Sequence, residues 1–238
     1  MLAMEIRNPV FWAVIIAWVM TVVLHEFAHG LVAYLGGDYT IRERGGLSLN
    51  PLQYVDPVFS LLLPTLFLLL GGVPLPGGST FIRRDLLRNR LWSTAVSLAG
   101  PFMNLLIFLA CVLPFHPRIG WIHPSARGPW DNGQVLLGAM AILQLLAILY
   151  NLVPVPPLDG FQAISPYLDP KTRLNLSTPP VSTILFLLFF LVLWKVPNLV
   201  ADVFRYVVKP LLEHLGFQHR EINFFRRAYN IALFSQSD

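Results

Sequence analysis

His25 and His29 stand four residues apart with an acid beside the first, in the run His25-Glu26-Phe27-Ala28-His29. Four residues are about one helical turn, so both imidazoles project from the same face. This H-E-x-x-H spacing lets two ring nitrogens reach one ion while Glu26 lies near the ion's open position. Zinc suits two nitrogens, a carboxylate and a water. Water bound to it has a pKa near 7, and a neighbouring carboxylate can take its proton during attack on a carbonyl. The bland alternative is two core histidines and a chance glutamate. In an apolar helix that alternative is costly, up to about 3 kcal/mol for the acid alone.

A metal would need a third donor. Asp159 closes the run Asn151-Leu152-Val153-Pro154-Val155-Pro156-Pro157-Leu158-Asp159-Gly160. Its prolines cannot continue a helix, so the chain must unwind there. Irregular backbone near membrane depth is tolerated only against protein or a watery cavity. A solvated carboxylate at a helix end is the plain alternative; beside H-E-x-x-H, the ligand reading is preferred. His116, His123, His214 and His219 have no partner at ligand spacing and read as solvated residues.

The elements that position these residues must be membrane helices. A span takes about 20 apolar residues; Val10 to Leu35, Leu91 to Leu113 and Val135 to Val153 qualify, and Val181 to Val196 is shorter but intensely apolar. Leu199 to Leu215 carries Asp202, Arg205, Lys209 and Glu213 and reads as an interfacial helix, with a tilted return crossing as the alternative. Pro57 to Val73, with Pro64 inside and Gly71-Gly72 at its end, reads as a short span or a re-entrant hairpin. Between Asp38 and Gln53 the chain is polar around Gly45-Gly46, which predicts a small β-hairpin. The expected fold class is an all-α polytopic membrane protein, a helix bundle with that β-hairpin and a re-entrant segment.

Composition agrees. Of 238 residues, 55% are hydrophobic and only 13% charged, about half the charged share of a soluble domain, and mean hydropathy is +0.61. No polar stretch is long enough for a second soluble unit. Residues 1–238 therefore read as one membrane-embedded domain: a core over about 10–170, further helices over about 181–215 and a polar tail over 216–238. The first apolar run lacks a small-residue cleavage site and leads straight into His25, so it reads as retained. The net charge of +4 comes from arginines beside apolar segments, Arg83, Arg84, Arg88 and Arg90, then Arg220, Arg226 and Arg227. That is the pattern of a cytoplasmic membrane face against anionic lipid; no basic-aromatic interleaving points to nucleic acid. A lone Cys111 permits no internal disulfide.

The motifs together resemble the site-2 protease (M50) family of intramembrane zinc metalloproteases, most of all its small bacterial branch without PDZ or CBS domains. HEFAHG and NLVPVPPLDG carry the likeness, with Ala99-Gly100-Pro101-Phe102-Met103-Asn104 and the stretch Gly46 to Pro57 in the family's order, over roughly residues 10 to 170. The branch's Lys-Pro-Val-Pro-type strand is replaced here by Pro74 to Ile82. The resemblance implies one Zn2+ per chain held by His25, His29 and Asp159, with Glu26 as general base. It makes Asn151 the residue that steadies substrate or oxyanion. Asn104 is then a substrate-positioning residue, or else a helix–helix hydrogen-bonding group. It implies regulated intramembrane proteolysis: hydrolysis of peptide bonds in or near the transmembrane segments of a membrane-protein substrate, such as a membrane-bound regulator. A strand edge at Thr40–Leu49 or Leu75–Ile82 would grip that substrate by strand addition.

The expected location is a bacterial plasma membrane, multi-pass, with the site toward the cytoplasm. For Asp159 to join the histidines, the first helix and the helix before Asp159 must run the same way, with an odd number of crossings between them. Two rivals remain. One is a catalytically inactive adaptor that binds transmembrane helices, which an intact donor set opposes. The other is a zinc carrier, which would string several sites along a path.

Overall fold

The computed structural model describes residues 9–54, 81–125, 128–195 and 199–234. Helix α1 (Pro9–Gly36) is mostly apolar outside its chemistry-bearing turn, with Thr21 a buried polar exception, and it stops at Gly37, whose φ of +120° ends the helical ladder. Helix α2 (Thr40–Glu43) follows at once. Helix α3 (Arg90–Val112) begins under an Asn89 cap, whose side chain accepts from Trp92 N–H, and contains Pro101. Helix α4 (Asn132–Asn151) begins under Asp131, which accepts from Gln134 N–H. Among the described residues, three helices are long and apolar enough to cross a membrane: α1, α3 with its extension to Phe115, and α4. The bent pair α6 (Pro170–Ser177) and α7 (Val181–Lys195) would make a fourth, at 65°.

Contacts fix the helix directions. His29 meets Val96 and Gly100 nears both histidines, so α3 runs antiparallel to α1. Gln144 bonds Thr21 across to α4, and Asp159 beyond the end of α4 reaches His25 and His29, so α4 runs parallel to α1. Arg44 donates to the Phe81 carbonyl and Asp38 accepts from Arg83 N–H. The chain therefore leaves and re-enters the described region at the same end of the bundle. The expected re-entrant segment, Pro57–Val73, lies outside the described residues, as do residues 75–80 of the second expected strand edge.

The β-hairpin expected over Asp38–Gln53 is not formed, and no strand occurs among the described residues. Gly45-Gly46 closes a helix instead. Gly46 N–H bonds to Ile41 C=O at 2.9 Å and Gly45 N–H to Arg42 C=O at 3.2 Å, the paired bonds of a Schellman cap. Only Gly45 of the two has positive φ, at +80°, whereas a type I′ hairpin turn needs it at both central residues. Ile41, buried to 1% exposure, anchors the turn. Gly46 lies so close to Gly30 that a Cβ on Gly30 would strike the Gly46 carbonyl. Beyond the cap, Asn50 caps a short 3-10 turn over Pro51–Gln53. The Thr40–Leu49 strand edge therefore does not exist.

Helix α5 (Asp159–Ile164) starts directly on the candidate ligand. After α7 come α8 (Leu199–Val203), a π-turn over Phe204–Val208 and α9 (Lys209–His214). The stretch expected as a polar tail carries α10 (His219–Phe234). Its Ile222, Phe224, Phe225, Ala228, Tyr229, Ala232 and Leu233 are buried in the main core. Phe224 packs against Phe115 and Trp130, and Gly138 abuts Ala228. Helix α10 thus starts at the bundle end away from Asp159.

Candidate metal centre

His25 and His29 lie one turn apart on α1, both buried. Their Nε2 atoms are 3.0 Å apart. Asp159 places Oδ2 3.2 Å from His25 Nε2 and Oδ1 3.4 Å from His29 Nε2. Tetrahedral donors about 2.05 Å from zinc stand about 3.3 Å apart, so this triangle has the edges of a zinc site. It is the one group of three such donors among the described residues.

Each donor is held by its element. His29 Nδ1 lies 2.6 Å from the Val96 carbonyl on α3. A carbonyl only accepts, so Nδ1 carries the proton and Nε2 presents its lone pair, as a ligand must. Gly100 supplies the clearance: a Cβ there would run into Nε2 of both histidines. Asp159 is aimed by the unwound stretch after α4. Gly160 sits on the Leu152 backbone with no room for a Cβ, and Thr94 Oγ1 donates to the Ala163 carbonyl at 2.8 Å, fastening α5 to α3. Burial pushes the Asp159 carboxyl up, but the two imidazoles outweigh it and hold it well below the usual carboxylate range.

Glu26 is buried and lines a small cavity with Trp18, Thr21, Val22, His25, Asn104, Gln144 and Ala147. Asn104 therefore lies beside the cluster. Asn151 ends α4, buried, with its Nδ2 unpartnered.

Two features escaped the sequence reading. Arg84, taken with its neighbours as a marker of the cytoplasmic face, folds back onto α3 and donates to Ser93 Oγ at 2.8 Å, the Ser93 carbonyl at 3.2 Å and Ser97 Oγ at 3.0 Å. Burial lowers its pKa and the charge of Asp159 opposes that. Its signal was the pair Ser93 and Ser97, four apart on an otherwise apolar helix. Gln144, 1% exposed in mid-helix, was the other; one amide in an apolar span was its only trace.

The bundle and the cluster define a class, a helical membrane protein with a buried His-His-Asp donor set fit for a divalent cation. Comparison with known proteins narrows it. The chain is 38% identical over 215 residues to the "Putative zinc metalloprotease Rip2" of Mycobacterium tuberculosis (strain ATCC 25618 / H37Rv), covering 89% of this chain and 77% of that protein. It is 42% identical over 164 residues to the protein of the same name from Mycolicibacterium smegmatis, 69% of this chain and 60% of that protein's length. It is 30% identical over 217 residues to the "Putative zinc metalloprotease YwhC" of Bacillus subtilis, 83% of this chain and 93% of that one. No family model and no solved structure matches. The chain belongs to the site-2 protease family of membrane zinc metalloproteases.

Proposed function

We propose that this protein is an intramembrane zinc endopeptidase that hydrolyses peptide bonds in or near the transmembrane segments of membrane-protein substrates. The observation that carries the reading is the convergence of His25 Nε2, His29 Nε2 and the Asp159 carboxylate at 3.0–3.4 Å within a bundle of apolar helices. In this reading those three side chains hold one zinc ion per chain. When bound, the metal supplies an acidified water and polarises the scissile carbonyl.

The chain's own residues do the rest. Glu26 accepts the proton of the attacking water and delivers it to the leaving amine. The free Nδ2 of Asn151 is a donor for the developing oxyanion. A helical substrate hides its carbonyls in i→i−4 hydrogen bonds, so it must unwind locally before it reaches Glu26. The family and the donor set support the reading, and the site's setting among helices of membrane-spanning length supports the substrate class.

Glu26→Gln keeps the ligands and removes the base. The purified variant is expected to retain about one zinc per chain by metal analysis and to lose cleavage of a transmembrane substrate by at least 10²-fold. His25→Ala is expected to lose the metal as well. Cleavage at wild-type rate by Glu26→Gln would overturn the assignment, and metal-free wild-type protein would favour a non-catalytic helix-binding adaptor.

A further inference from the structure

His29 and His25 are not equally supported. A ligating histidine normally gives its second ring N–H to a carbonyl, carboxylate or water, which fixes tautomer and orientation. Val96 C=O performs this for His29. His25 Nδ1 is buried and has no hydrogen-bond partner. Two further buried side-chain atoms, Gln144 Oε1 and Trp18 Nε1, are without hydrogen-bond partners. All three belong to side chains that line the cavity between α1, α3 and α4. Gln144 is anchored at its other end, where Nε2 donates to Thr21 Oγ1 at 3.1 Å and Thr21 Oγ1 donates to the Trp18 carbonyl at 2.8 Å. One amide N–H is thereby committed, which fixes the orientation of the amide and leaves its carbonyl oxygen as an acceptor. The cavity volume is about 10 Å3, at the lower limit for one water.

The geometry points to a structural water bound in this cavity, and to Gln144 as the residue that steadies His25 through it. The water accepts from His25 Nδ1–H and Trp18 Nε1–H and donates to Gln144 Oε1, so one molecule satisfies three buried groups that otherwise stand alone. Leaving such a group buried and unpaired costs its full desolvation penalty, which the water removes, so that an amide can persist in the middle of an apolar span. Gln144 is a positioning residue: it touches neither substrate nor metal, and holds one imidazole as Val96 holds the other. The inference rests on His25 being a metal ligand, and its test separates the two.

The test uses the purified full-length protein in lipid nanodiscs, with zinc as the probe and X-ray radiolytic footprinting as the second readout. Bound water generates oxidising radicals in place, so buried Trp18 is expected to be labelled in the wild type. Gln144→Met should cut Trp18 labelling several-fold, leave exposed Trp121 unchanged as control and weaken zinc binding about tenfold. Thr21→Val removes the bond between helices but leaves the Gln144 carbonyl; it should change zinc affinity less than threefold. An unlabelled Trp18 in the wild type, or equal zinc loss in both variants, would overturn the proposal and leave Gln144 as helix–helix glue. Wild-type protein that binds no zinc yet shows Gln144-dependent labelling would sink the metal reading alone and keep the water site.

Discussion

At Gly100 the site's whole clearance rests on a missing methyl group. Its α-carbon faces both Nε2 atoms so closely that a Cβ would overlap them. Gly100→Ala should therefore displace the imidazoles, because the methyl is fixed to a helix and the rings are side-chain ends. The expected outcome is zinc affinity reduced at least tenfold with unchanged far-UV circular dichroism; full metal content would show that the rings can move aside. At this scale the sequence was largely legible. The spacing of His25 and His29 dictates a shared face, and prolines before Asp159 force the break that brings α5 back. Gln144 and Thr21 were not legible, because their partnership joins residues 123 apart in sequence and no local pattern announces it.

At the scale of elements, punctuation proved ambiguous where periodicity did not. Gly45-Gly46 signals a reversal of the chain, but a hairpin turn and a Schellman cap use the same residues; the four-residue helix between Asp38 and Arg44 is too short to leave a period. Buried Asp38 decides the matter, since it accepts from both Thr40 Oγ1 and Arg83 N–H and fixes the chain in the turn. Gly45→Ala is expected to cost about 1–2 kcal/mol, the strain of an L-residue in the left-handed region, while Gly45→Asn costs less because asparagine tolerates it. Thermal unfolding of the two variants in detergent tests this; equal midpoints would remove the cap argument. Helix α10 is the opposite case. Ile222, Phe225, Tyr229 and Ala232 repeat at helical spacing and are all buried, a readable period hidden by the arginines and asparagines between them.

At the scale of the molecule, the two ends of the bundle differ in charge. Arg42, Arg44, Arg83, Arg84 and Arg88 follow α1 or precede α3, and Arg90 opens α3, all at the end where Asp159 meets the histidines. Arg118 lies in the connection between α3 and α4, and Arg220 opens α10 beside it, with Arg226 and Arg227 in the turns that follow. These arginines therefore lie toward the other end and do not share one face with Arg83, Arg84, Arg88 and Arg90, as the sequence had led us to expect. Lysine and arginine in short loops favour the cytoplasmic side, and the larger cluster flanks the first two spans, so the metal end should face the cytoplasm. The native cysteine does not interfere, because Cys111 is buried. Ser48→Cys reports the metal end and Ser125→Cys the other, both on chain outside the spans. In intact cells an impermeant maleimide is expected to modify the second and spare the first, with the pattern reversed in inside-out vesicles. Labelling of both from one side would mean that the bundle does not cross the membrane. The reverse pattern would place the hydrolytic site outside the cell, with the basic loops around α2 and α3 facing away from the anionic leaflet their charge is suited to.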